Sequence, residues 1–133
     1  MMKSDIDIKD DLYKHIKGSV LEKAVNGVLR KTLRPAKSNA EDIVISVISN
    51  LNSQIQESYV NVNIYVADVV RNNQPEENTK RLRELCSIAY EVLNIGIGKG
   101  YRFSLESQRV LEVNGRDEHL INNRILYKHC NEL

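Results

Sequence analysis

Hydrophobic and polar positions alternate along Tyr59-Val60-Asn61-Val62-Asn63-Ile64-Tyr65-Val66-Ala67. A period of two puts Val60, Val62, Ile64 and Val66 on one face of a β-strand and Tyr59, Asn61, Asn63 and Tyr65 on the other. Asparagine has low strand propensity. Two of them on one mid-strand face therefore point to a polar contact beyond plain solvation, such as another copy of the protein. The β-branched run Ile43–Ile48 predicts a preceding strand. Turn-rich Ser49–Ser53 joins the two, the second strand starting near Glu57, as a long hairpin.

Elsewhere the period is helical. Ile8, Leu12 and Ile16 recur every four residues across 5–17, with aspartates early and Lys14, His15 and Lys17 late, the charge order a helix dipole favours. Gly18 predicts a stop, and Ser19 caps a short turn over Val20–Val25. Leu82, Leu85, Cys86, Ala89, Val92 and Leu93 follow the i, i+3, i+4, i+7 rule and predict a helix over 76–93. Its outer face reads as Lys80, Arg81 and Arg83 balanced by Glu76, Glu77 and Glu84. Asn26-Gly27 is a turn signal, followed by a short strand over Val28–Leu33 and a loop from Arg34-Pro35 to Ala40.

Asn72–Pro75 breaks the pattern, and Asn94–Gly100 reads as a glycine-rich turn. From Tyr101 the period of two returns, with Tyr101, Phe103, Leu105, Leu111 and Val113 on one face. Asn114-Gly115 predicts a tight turn into a return strand over Leu120–Lys128. The sum is an α+β fold, a mixed, mostly antiparallel sheet of about four to five strands with two main helices packed on one face, in a single domain over 1–133.

Composition narrows the function classes. The 133 residues carry 19 Lys and Arg against 18 Asp and Glu, a net charge of +1, where a dedicated nucleic-acid binder is usually more basic. The absence of Trp and the single Phe argue against stacking on single-stranded bases. No apolar run reaches the length of a membrane span, and Met1–Asp11 lacks the apolar segment of a secretory signal, so a cytoplasmic protein without membrane partners is expected. Cys86 and Cys130 read as reduced thiols. His129-Cys130 would point to opposite faces of a strand, poor geometry for two metal ligands, so no metal and no cofactor are expected.

Gly96-Ile97-Gly98-Lys99-Gly100 superficially resembles a phosphate loop, but it lacks the longer glycine spacing, the Ser or Thr after Lys and the following helix. His15, His119 and His129 have no nucleophile in a recognisable elbow, so no catalytic residue is assigned and a non-enzyme is the default. Asp68 at a strand end, Glu106 on a later strand and Asp42 offer oxygen ligands for a metal-dependent nucleic-acid-processing enzyme, if the fold brings them together. Arg30, Lys31, Arg34 and Lys37 are the densest basic cluster without interspersed acid. They read either as a solvated loop or as a surface meeting phosphates without sequence preference.

Leu33–Ile45, Val60–Asp68 and the helix opening Asn78-Thr79-Lys80-Arg81-Leu82-Arg83-Glu84-Leu85, in that order, resemble the small tail-terminator or tail-completion (head–tail joining) proteins of tailed bacteriophages and prophages. The resemblance covers most of the chain and contains no catalytic motif. It implies a structural virion-assembly protein forming a homo-oligomeric ring, commonly of six copies, that terminates the tail tube and joins it to the head connector. Its partners would be itself, tail-tube and head-connector proteins, and DNA passing without sequence-specific contact. It would be found in the host cytosol and, for an active phage, in the virion. Tyr59, Asn61, Asn63 and Tyr65 are the candidate subunit contact, and Arg30, Lys31, Arg34 and Lys37 the candidate lumen lining. A small adaptor binding one host protein is the remaining alternative.

Overall fold

The computed structural model describes residues 2–130, all but four of the 1–133 read as one domain. The chain runs α1 (Asp5–Ile16), α2 (Val20–Ala24), β1 (Leu29–Arg30), β2 (Ile43–Leu51), β3 (Ile55–Ala67), β4 (Val69–Arg71), β5 (Gln74–Glu76), α3 (Thr79–Leu93), β6 (Ile95–Gly98), β7 (Tyr101–Glu112) and β8 (Glu118–Cys130). Six strands form one sheet in the order β1-β2-β3-β8-β7-β6, and β4 and β5 form a separate hairpin. Among the described residues only the β1–β2 pair is parallel. The α+β class expected from the sequence is present, with more strands than expected and a short third helix.

Local chemistry accounts for the elements. Ser4 and Asp7 form a capping box at the start of α1, the Ser4 hydroxyl accepting from the Asp7 amide and the Asp7 carboxylate from the Ser4 amide. Gly18 takes φ +78° after α1, the left-handed turn that glycine accepts without strain. Ser19 caps α2 and Asn78 caps α3, whose start is three residues later than the periodicity indicates. Asn72 and Asn73, expected only to break the pattern, take φ +52° and +62° and make the tight turn of the β4–β5 hairpin.

The helices cover one face of the sheet. Ile8, Leu12 and Ile16 of α1 and Leu85, Ala89 and Leu93 of α3 are fully buried in one core with Val60, Val62 and Ile64 of β3. Each of these isoleucine, leucine and valine side chains contributes about 1.5–3 kcal/mol by leaving water, and the Ala89 methyl about 0.8 kcal/mol. Toward the start of β3 the inward positions turn polar for a reason. Buried Gln56 accepts from the Lys3 amide at 2.9 Å and donates to the Lys3 carbonyl at 2.8 Å, tying the segment before α1 to the sheet.

Two sequence expectations need correction. First, Ile95–Gly98 is a strand. Its glycines are demanded by the neighbouring strand: a Cβ at Gly96 would lie 2.1 Å from the Phe103 ring, and one at Gly98 2.2 Å from Tyr101. The aromatic rings fill the space the glycines leave, as edge glycines in sheets require. Second, a bulge at Glu106, where the register shifts between Leu105 and Ser107, reverses the parity of β7. Leu105 points to the core, but Leu111 pairs with Leu120 on the opposite face.

Candidate functional site

The face of the sheet away from the helices carries the residues singled out by the alternation. Tyr59, Asn61, Asn63 and Tyr65 of β3 are half-buried, their neighbours Val60, Val62 and Ile64 fully buried. The register sets Leu126, Arg124, Asn122 and Leu120 of β8 opposite them. Asn122 Nδ2 donates to Asn61 Oδ1 at 3.0 Å and to Asn63 Oδ1 at 2.7 Å. Part of the asparagine signal is thus internal, a cross-strand ladder of three amides. Once their oxygens are engaged, the side-chain amide groups of Asn61 and Asn63 have no further acceptor among the described residues.

Two cation–ring stacks flank the ladder. The Arg124 guanidinium lies 4.4 Å from the Tyr59 ring centroid and the Arg34 guanidinium 4.1 Å from that of Tyr65. Arg124 also approaches Glu106 at 3.4 Å, and its buried Nε has no hydrogen-bond partner among the described residues. The rings are covered by cations, so they are not open platforms for bases. The side chains of the array are held in place by contacts within the chain itself.

Arg34 holds one end of this face. Its Nε donates to Asp42 at 2.7 Å, its Nη1 and Nη2 to the two Glu118 oxygens at 2.7 and 2.5 Å, and Nη2 also to the Ala40 carbonyl. The Arg34 side chain is 12% exposed and each carboxylate 2%. Burial alone would raise the Asp42 carboxyl, but hydrogen bonds from Ser38, Arg34 and the Val28 amide outweigh it and hold the group below its ordinary range. Burial likewise works against the Arg34 charge, yet Glu118 and Asp42 keep its pKa above the usual value. Gly27 allows this loop to close: a Cβ there would stand 2.4 Å from Asp42 and 2.5 Å from the Glu41 backbone.

The four cations grouped by sequence therefore separate. Arg34 is neutralised inside the fold. Lys31 pairs with Asp10 at 2.8 Å and lies over the Tyr13 ring. Arg30 and Lys37 are exposed. Arg81, expected on a solvated helix face, forms a bidentate pair with Glu41 at 2.7 and 2.8 Å and reaches the Ala24 carbonyl, locking α3 to α2 and the loop before β2.

The carboxylates considered for cation binding do not converge. Asp68 binds His119 Nδ1 at 2.6 Å beside the β7–β8 turn, and Asp42 is engaged by Arg34. Glu106 lies level with Arg124, roughly 20 Å along the sheet from Asp68 at the rise of a strand. Among the described residues no group of three His, Cys, Asp or Glu side chains could hold a metal ion. His15 serves structure, with Nε2 2.6 Å from the Val92 carbonyl and its ring edge-on to Phe103. Cys86 and Cys130 are free thiols, and burial pushes Cys86 up. Sequence reasoning missed a cleft of about 620 Å³ between the β4–β5 hairpin and the β7–β8 turn, rich in carboxylates (Asp68, Glu76, Glu77, Glu112, Asp117 and Glu118), with Arg116 and His119 also in its wall. Its carboxylates come from three separate stretches of chain, so no local motif announces it.

No protein-family model matches the chain, and no curated protein matches it either. The fold and the face define an α+β protein with one helix-covered and one open sheet surface. No helix among the described residues is long and apolar enough to cross a membrane.

Proposed function

We propose that this protein is a structural assembly subunit of a tailed phage or prophage, acting without catalysis by self-association into a ring that terminates the tail tube and meets the head connector. The observation that carries this reading is the open sheet face. Tyr59, Asn61, Asn63 and Tyr65 stand half-exposed there, locked in place by Asn122, Arg124 and Arg34. Tyrosine and arginine are enriched in protein interfaces, and a rigid array of amide donors suits the carbonyl and amide groups of a protein partner. Many identical contacts of this kind close a ring with high avidity though each is weak. Arg30 and Lys37, the two exposed members of the basic cluster, are the residues proposed to face passing DNA.

The test is the mass in solution by sedimentation, alone and with the tail-tube protein of the same element. A discrete multi-copy assembly is expected for the native chain. Asn63→Lys, which sets a charge in the middle of the face, should lose it while the circular dichroism spectrum stays native. A strict monomer at high concentration with tail-tube protein present, or an assembly indifferent to Asn63→Lys, refutes the assignment.

A further inference from the structure

The sheet has two edges, and they are treated differently. On one side β1 pairs with Ile43 and Val44 of β2, and a register shift near Ile48 breaks the rest of that edge. A short cover and a bulge are ordinary protections against stray strand pairing. The other edge is β6, which pairs only with β7 among the described residues. It has no charge, no proline and no bulge. Its isoleucines are the opposite of protection, with Ile95 64% and Ile97 78% exposed.

We infer that β6 is a homodimer edge: a second copy adds its own β6 antiparallel about a two-fold axis, joining the two sheets. The side-chain pattern selects this occupant. Ile95-Gly96-Ile97 reads the same in both directions, so a two-fold axis through Gly96 sets Ile95 opposite Ile97 of the second copy, and the reverse, with all four isoleucines on one face. Cross-strand β-branched pairs are the stabilising unit of a sheet. The other face of the edge carries only glycine, flush against the Phe103 and Tyr101 rings, so nothing obstructs the approach. The same register brings Lys99 beside the C-terminal end of α3 in the second copy, where the last turn holds no basic residue and the helix dipole is negative. The contact is small, so association should depend on concentration. This dimer does not rest on the phage reading, and it uses residues distinct from Asn63 and its neighbours.

The experiment has two arms. In sedimentation equilibrium, Ile97→Lys should halve the mass of the native protein at high concentration while leaving its circular dichroism unchanged. In the second arm Cys86 and Cys130 are replaced by serine, and an Ile95→Cys chain is mixed with an Ile97→Cys chain under mild oxidation. A disulfide-linked dimer should form in the mixture at several times the yield of either chain alone, because only Ile95 and Ile97 face each other in this register. A native protein that stays monomeric, a mass unmoved by Ile97→Lys, or equal crosslinking in mixed and unmixed samples overturns the inference. An assembly lost with Asn63→Lys but not with Ile97→Lys would overturn the edge and leave the proposed function standing.

Discussion

Removing the Arg34 guanidinium is the sharpest test of how this fold is held. Arg34→Ala leaves Asp42 and Glu118, each 2% exposed, without the cation that balances them. Breaking a buried pair by deleting one partner typically costs 3–5 kcal/mol, because the remaining charge is buried and uncompensated. Some compensation survives here. Ser38 Oγ still donates to Asp42 at 2.6 Å, the Val28 amide at 3.0 Å, and Arg116 Nε lies 3.5 Å from Glu118. The lower end, about 3 kcal/mol, is therefore expected. Arg34→Lys keeps the charge but loses the fork that grips Glu118 through two nitrogens, and should cost about 1–2 kcal/mol.

The assay is urea unfolding followed by circular dichroism, with the midpoint converted at constant slope. The pH dependence has a definite sign. The folded-state pKa of Asp42 lies below its ordinary 3.8, so the stabilisation it carries is complete above that value and lost as pH falls through the folded pKa. The gap between native protein and Arg34→Ala should therefore be widest at neutral pH and shrink in acid. A loss under about 1 kcal/mol, or a gap that is constant down to strongly acid pH, refutes the clamp.

Gly96→Ala should destabilise the protein by about 1–3 kcal/mol, read as a lowered thermal midpoint, because its Cβ would enter the Phe103 ring; an unchanged midpoint would mean that the ring is not seated over Gly96. Tyr127→Phe should cost about 1–2 kcal/mol, since the phenol donates to Asp11 at 2.6 Å while Lys3 still holds that carboxylate. Burial first, and Asp11 second, raise the Tyr127 pKa above its ordinary 10.0. Its contribution is then complete below pH 10 and lost as the unfolded phenol ionises, so the native protein should lose its advantage over Tyr127→Phe in alkali. A difference that grows above that pH would count against the buried hydrogen bond.

The sequence was most legible where one period ran uninterrupted. Ile8, Leu12 and Ile16 marked the buried stripe of α1, and Val60, Val62, Ile64 and Val66 the buried side of β3, because burying one side requires that spacing. It was least legible where one residue changed the count. The bulge at Glu106 turned Leu111 away from the core, and no pattern in β7 announces an extra residue. Gly96 and Gly98 resembled a turn because glycine usually marks one; here the Phe103 and Tyr101 side chains, several residues onward, needed the space. Of the candidate interface, the row on β3 was legible. Asn122, which ties that row together, and Arg124, which covers Tyr59, came from a strand about 60 residues later, as the register of antiparallel pairing makes unavoidable.

By itself the chain determined its helices, its long hairpins and the two faces of β3, because each depends on the order of neighbouring residues and on the turns between them. Tertiary structure alone decided which charges are free. Arg34 and Lys37 are three positions apart in one basic loop, yet one is sealed against Asp42 and Glu118 and the other stands in water. Of the two carboxylates that seal Arg34, Asp42 lies eight residues away but Glu118 lies 84, and an ion pair depends on distance in space, to which sequence separation is blind.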